Sequence, residues 1–294
     1  MGNPESAEIS DQAGLLYMVA TPLGNMDDIT LRALKILRSV DLIAAENVTR
    51  TRGLCRHHEI RVRITKYNEH NRARKARELT DKLKSGENVA LVTDAGTPGI
   101  SDPGAYLTCK VAEEGIQVIP VPGASAVVSA LSISGMSAGA FVFVGFLPNK
   151  RGKRRQELTN IASEKRTLVF FEAPHRMVAM LTDLRDILGD RPMVMVREMT
   201  KVFEEIKRGC IGSILETLES REIRGEFTLV VSGSEEAETP RKLSKQAMKK
   251  IDALLEESSK SVRDIAESIA MEEGISYRRV YKECISRKNA LDKS

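Results

Sequence analysis

Short apolar runs alternate with helical periodicities along most of this chain, and that rhythm constrains the fold more than any other feature. Leu15–Ala20, Leu42–Ala45, Val89–Thr93 and Val118–Val121 are continuous, largely apolar stretches of the length of buried strands. Between them, Ile29, Ala33, Ile36, Leu37 and Val40 repeat at helical spacing, and Ala76, Leu79 and Leu83 do so ahead of Gly86, a helix stop. Asp102 and Pro103 read as the N-cap and first residue of another helix, ended by Gly115, and Ser125–Ile133 as one more. The second half keeps the rhythm. Phe141–Val144, Thr167–Phe171, Met193–Val196 and Phe227–Val231 are strand-like, a basic helix starts near Arg151, and Met177, Leu181, Leu184 and Leu188 mark another. Such alternation predicts α/β layers around parallel or mixed sheets, with a seam between two α/β halves near Pro122 and Gly123.

From Pro240 the pattern becomes all-helical and more charged. Ile251, Leu254 and Leu255 form one apolar face, and Val262, Ile265, Ala266 and Ile269 a second. Beyond Gly274, Ser276 can cap a third helix with Val280, Tyr281 and Cys284 inward, a helix-turn-helix outline that any small bundle shares. The expected organisation is a loose tail over 1–14, α/β halves over 15–122 and 123–234, and a helical domain over 240–294. The formal net charge of the 294 residues is +4. The segment after Pro240 carries that whole excess, so the first 240 residues are neutral overall. No apolar run approaches the ~20 residues of a membrane span, and the start lacks a signal peptide's basic and apolar segments. The expectation is a cytoplasmic protein. Its four cysteines (Cys55, Cys109, Cys210, Cys284) are scattered and form no CxxC pair, so they read as reduced and structural, with no metal site.

Ligands of α/β folds bind beyond the carboxyl ends of strands, and three Gly/Pro-rich loops stand there: Thr21–Asn25, Asp94–Gly104 and Pro122–Ala126. Glycine lets backbone approach a ligand and proline stiffens the loop. One such loop is ordinary turn chemistry; three at strand ends favour a cofactor cleft. GxxxxGK[ST], GxGxxG and GxSxG are all missing, which argues against a kinase, a simple dehydrogenase and an α/β-hydrolase.

VATPLGN (Val19–Asn25), YNEHN (Tyr67–Asn71), VALVTDAGTPGISDPG (Val89–Gly104), VPGASAVVSALSISG (Val121–Gly135), GFLPNKRGKRR (Gly145–Arg155), FFEAPHR (Phe170–Arg176), REMTKVFEE (Arg197–Glu205) and GEFTLVVSG (Gly225–Gly233) together resemble the tetrapyrrole methylase superfamily. They are most similar to its bacterial branch that methylates cytidine 2′-hydroxyls of 16S ribosomal RNA. The resemblance covers residues 15–234. It implies two α/β domains with S-adenosylmethionine in the cleft between them, plus a small C-terminal helical domain. It also implies homodimers, and 16S rRNA within the small ribosomal subunit as partner. Its cofactor contacts fall on Leu23, Gly96, Thr97, Ile100, Ser125 and Ala126, with Phe171 and Glu226 as further contacts. Two stretches depart from the family pattern. Where relatives carry AEDTRxTR, this chain reads Ala45-Glu46-Asn47-Val48-Thr49-Arg50-Thr51-Arg52, and Asn68 stands where relatives often have His.

A ribose hydroxyl becomes a competent nucleophile when a base takes its proton, a contribution of roughly 10²–10⁴-fold. Glu46, Glu69 and His70 are the leading candidates. Asp102, Glu172 and His175 have readings as a helix cap or loop braces. Arg50, Arg52, Arg176 and Arg197 can hold phosphates bidentately, and Lys150, Arg151, Lys153, Arg154 and Arg155 form a basic run suited to RNA. Two other functions remain open: methylation of a tetrapyrrole intermediate, and non-catalytic rRNA binding as an assembly factor.

Overall fold

The computed structural model describes residues 13–219, 222–234, 243–257, 261–273 and 277–291. Most of the expected N-terminal tail, Pro240 and the Gly274–Ser276 turn lie outside them. The chain divides into two units, Met1–Ser234 and Glu235–Ser294.

The first unit opens with β1 (Leu16–Val19), α1 (Leu31–Ser39), β2 (Leu42–Ala45), α2 (Val48–His57), β3 (Arg63–Lys66), α3 (Arg72–Lys84), β4 (Val89–Val92), α4 (Ala105–Glu113), β5 (Val118–Val121) and α5 (Ala126–Ser134). These strands form one sheet in the order β3-β2-β4-β1-β5, every pair parallel. Every residue of β2 and β4 is buried, as a parallel sheet covered on both faces requires. Leu16, Ala44, Leu79, Leu91 and Leu107 fill one face; Val19, Leu37, Ile43, Ala90 and Val92 fill the other.

The unit continues with β6 (Phe141–Phe146), α6 (Arg151–Asn160), β7 (Thr167–Glu172), α7 (Met177–Leu188), β8 (Pro192–Arg197), β9 (Glu205–Cys210), α8 (Ile211–Glu219) and β10 (Phe227–Val231). Their sheet runs β6-β7-β10-β8-β9. β6 and β7 are parallel and the other pairs antiparallel, so the sheet is mixed. α5 leaves the first sheet and buries Val127, Ala130 and Leu131 against Val169, Val194 and Val230 of the second. A shared helix thereby sets the two sheets' facing edges.

The periodicities of the sequence match these elements, with the misses at the margins. β3 and β9 are edge strands with largely exposed or half-buried residues, and α2 buries only Thr51, Leu54 and Cys55. Polar edges carry no clear apolar period. One expected cap is corrected: α4 begins at Ala105 with Gly104 as its N-cap. Gly99 and Ser101, both at positive φ, fold the preceding loop back, so Asp102 does not cap the helix.

The basic run at the start of α6 is also corrected. Asp183 of α7, 1% exposed, takes Arg154 Nη2 at 2.7 Å, Arg155 Nη1 at 2.8 Å and Arg151 Nε at 3.3 Å. Arg154 is itself 5% exposed and docks α6 on α7, so it is a structural ion-pair partner and not a surface contact. Burial alone pushes the Asp183 carboxyl up, but the surrounding guanidiniums outweigh it and hold the group below its ordinary value.

The second unit holds α9 (Lys245–Glu256), α10 (Val262–Glu273) and α11 (Tyr277–Leu291), packed through Ile251, Ile265, Ala266, Ile269, Val280 and Cys284. Tyr281, expected inward, is exposed and stacks on Tyr277 with ring centroids 5.6 Å apart. Among the described residues no helix is long and apolar enough to cross a membrane.

Removing one side of a buried ion pair strands the other charge at a cost of about 3–5 kcal/mol. Asp183→Ala is expected to lower unfolding free energy by that order in denaturant titrations, and Arg154→Ala similarly. A loss under about 1 kcal/mol for both would contradict the docking role.

Candidate active site

The loops after β1, β4 and β5 are tied together by hydrogen bonds to backbone. Thr21 N donates to Gly96 O and Gly96 N to Thr21 O, both at 2.9 Å, and Thr97 Oγ1 donates to Ala124 O at 3.2 Å. Gly96 sits at φ +81°, and a Cβ there would meet Leu23 Cδ2 at 3.4 Å and Ala124 O at 3.8 Å. The opposite wall comes from the second sheet. At the β6 bulge Gly145 has φ +72°, and a Cβ would press on Ser101 Oγ at 2.9 Å. A glycine there lets the second sheet close on the long loop.

Between these walls lies a cavity of about 340 Å³, inside the 300–1,000 Å³ range of small-molecule sites. Leu23, Gly96, Thr97, Ile100, Ser125, Ala126, Phe171 and Glu226, the cofactor contacts implied by resemblance, all line it. Glu46 and Arg50 do too. Glu69 and His70 do not line it: both are exposed. Buried Tyr67 anchors their turn, and Asn68 and Asn71 lock it, each backbone N–H donating to the other's Oδ1 at 2.9 and 3.2 Å. Glu69 is spent on an ion pair with Arg72. The YNEHN stretch is therefore a braced surface turn, which also accounts for Asn at position 68. The other departure has a similar basis. Asn47 caps α2, its Oδ1 accepting from Thr49 N at 3.0 Å and Arg50 N at 3.3 Å. A cap needs an acceptor, which asparagine supplies as well as aspartate.

The cavity wall is acidic. Glu46, Asp94, Asp102, Glu172 and Glu226 line it, against Arg50 as the sole lining cation among the described residues. Arg50 Nη1 lies 3.5 Å from Asp94 Oδ2, while Asp94 Oδ1 is buried without a hydrogen-bond partner. Burial, then repulsion from Asp94, pushes the Glu46 carboxyl up. Asp102 moves furthest, to about 7: burial dominates, and the charge of Glu46 adds to it. Burial also raises Glu172, whose Oε2 is unpartnered, with Arg176 Nε 3.2 Å from its Oε1. Arg176 further donates to Leu147 O, so it points inward as a brace and not toward a bound polyanion. Arg197 is similarly engaged by Arg224 O and Glu205.

Asp94 is the lining carboxylate that sequence reasoning missed, and its place two residues beyond β4 is the signal that could have found it. The rest of the cavity is apolar and aromatic. Phe171 packs against Phe146 at 5.6 Å and Phe143 at 5.0 Å between centroids, with Ile100 and Phe146 exposed at the mouth. Ser125 makes no side-chain cap to α5, so the positive end of that helix, at Ser125–Val127, remains available to an anionic ligand group.

This architecture has known counterparts. The profile of the family described as Tetrapyrrole (Corrin/Porphyrin) Methylases matches residues 15–215. The chain belongs to that family. A cobalt precorrin-4 methyltransferase shares the fold at TM-score 0.59 and 19% identity, over 74% of this chain and 94% of that one. So does a Thermus thermophilus uroporphyrin-III C-methyltransferase complexed with S-adenosylhomocysteine, at TM-score 0.56 and 19% identity, over 74% and 97%. Sequence similarity is higher to proteins named ribosomal RNA small subunit methyltransferase I. The Synechocystis protein is 46% identical over 77% of this chain and 82% of its own length. The Haemophilus influenzae protein is 43% identical over 85% and 89%.

The environment of Asp102 is directly measurable. Its carboxyl resonance in the free protein is expected to titrate near pH 7; a midpoint near 4 would contradict the burial and charge crowding described. The linkage runs one way. The folded value lies above the ordinary 3.8, so the unfolded chain ionises first and the fold loses stability as pH rises between the two values. Asp102→Asn is therefore expected to melt higher than wild type at pH 8, the gap closing below about pH 4.

Proposed function

We propose that this protein is an S-adenosylmethionine-dependent methyltransferase that modifies a cytidine ribose 2′-hydroxyl in 16S rRNA of the small ribosomal subunit. The observation that carries the reading is the sign of the cavity: five carboxylates face one guanidinium in a member of a methylase family. S-adenosylmethionine fits such a wall. Its cationic groups suit Glu46, Asp94 and Asp102, its carboxylate suits the α5 N-terminus, and its adenine suits the apolar surface of Leu23, Ile100 and Phe171. When bound, it would supply a methyl group from a positively charged sulfur, the sulfur–carbon bond giving way to the new oxygen–carbon bond.

The remaining work falls to the chain. Asp102, ionised above about pH 7, takes the proton leaving the ribose hydroxyl; burial, reinforced by the charge of Glu46, keeps it basic. Phe146 and Ile100 at the mouth exclude water from the hydroxyl. Phosphates stay outside, where Arg52, Lys150 and Lys153 are exposed and Arg151 keeps much of its surface free beside Asp183. The same sign weighs against a tetrapyrrole substrate, whose carboxylates would enter an already acidic cavity. The retained cavity likewise weighs against a binding-only assembly factor. An rRNA-modifying role places the protein in the cytoplasm.

A homodimer completes the reading. The β8–β9 connection presents Val202 at 94% and Phe203 at 75% exposure, and β9 is an edge strand. Exposed apolar side chains beside an open edge are suited to cover by a second copy. Sedimentation equilibrium is expected to give a dimer that Val202→Glu with Phe203→Glu converts to monomer; an unchanged state would remove this surface from the interface.

Labelled S-adenosylmethionine, incubated with small subunits lacking the modification, is expected to label one ribose 2′-oxygen. Asp102→Asn is expected to slow transfer by roughly 10²–10⁴-fold, with cofactor still bound, and wild-type kcat/KM to rise through about pH 7. Absence of label with cofactor bound would sink the rRNA assignment.

A further inference from the structure

Helix α2 runs away from the cavity, and its far end meets the start of β3 at a second concavity. That groove, of about 410 Å³, is lined by Arg52, Arg56, Arg61 and Arg63 with Cys55, Ile60, Val62 and Ile64. All four arginines are exposed. Among the described residues Arg52, Arg56 and Arg61 have no carboxylate partner, and Arg63 reaches only Glu87, at 3.4 Å with the guanidinium side chain 70% exposed. Four guanidiniums around one depression repel one another, and most other surface cations of this unit are paired. Lys75, Lys82, Lys84 and Lys110, for example, each hold a glutamate.

We propose that this groove binds the phosphate backbone of the RNA substrate, holding nucleotides that flank the one entering the cavity. The inference rests on the rRNA reading above and adds a second anchoring surface to it. Arg52 and Arg56 are one turn apart on α2, about 5–6 Å between Cβ atoms. Arg61 and Arg63 are two residues apart, about 6.6 Å along an extended chain. Each pair therefore presents two planar forks at a separation that suits consecutive phosphates, and guanidinium is the side chain that grips a phosphate bidentately. Arg50, on the cavity wall, precedes Arg56 by six residues of the same helix, about 9 Å at 1.5 Å per residue. That is a span of one to three nucleotides, so a single strand can have its ribose at the cavity mouth and its neighbouring phosphates in the groove.

The test combines Arg56→Gln and Arg61→Gln, two exposed positions outside every core cluster, and measures binding of unmodified small subunits across a salt series. Methylation is followed in the same samples, and S-adenosylmethionine binding and melting serve as folding controls. The dependence of log affinity on log salt is expected to become shallower by about 2, with cofactor affinity unchanged. A variant that keeps the wild-type salt slope while wild type binds and methylates would overturn the groove and leave the rRNA reading standing. Wild-type protein that neither binds nor methylates subunits would overturn both. Lys84→Gln with Lys110→Gln, surface lysines of α3 and α4, separates a specific groove from general loss of charge. An equal flattening of the salt slope in that variant would overturn the groove.

Discussion

The reciprocal backbone hydrogen bonds between Thr21 and Gly96 hold the candidate site together. They join the loops after β1 and β4, and the Thr97–Ala124 bond extends the tie to the loop after β5. Parallel strands deliver all three loops to one edge of the sheet, and α5 then carries the chain across to the second sheet. The cavity follows from this connectivity. One wall is the stapled loop cluster, and the other is the β6–β7–β10 surface, brought close by a glycine at the β6 bulge.

Charge is sorted across this frame. Carboxylates at strand ends converge on the cavity, while most unpaired guanidiniums and ammoniums face outward. Burial, with Asp94 close by, destabilises the ionised forms of Glu46 and Asp102, which a cationic ligand relieves and a proton-accepting role exploits. Such local cost is common where a fold carries chemistry. The cluster of Asp183 with Arg151, Arg154 and Arg155 shows the opposite arrangement, a buried carboxylate whose countercharges are already in place and which therefore serves packing.

The architecture was legible because apolar runs and periodicities survive wherever an element is buried. β2, β4 and β10 are buried throughout, and their sequences read accordingly. β3, β9 and α2 lie at edges, where half the pattern is polar and no period emerges. The loops of the site could be placed because glycine and proline at strand ends leave a local signature. The proposed proton acceptor could not. Asp102 looks like a helix cap in sequence, and only the turn imposed by Gly99 and Ser101 shows that it faces the cavity. Glu69 and His70 looked free, and only the Asn68–Asn71 brace shows their turn committed to structure. The basic run at α6 was visible too, but its division into buried Arg154 and exposed Lys150 and Lys153 depends on the partner Asp183, nearly thirty residues away in sequence.

The central claim is that an acidic, partly desolvated cavity recognises the positive sulfur of its cofactor. Calorimetry of S-adenosylmethionine and S-adenosylhomocysteine, which differ in that charge, tests it most directly at pH 6 and pH 8. Ionisation of Asp102 between those values is expected to shift the affinity ratio toward S-adenosylmethionine, and Asp102→Asn to abolish the shift. A ratio independent of pH in the wild-type protein would contradict the account.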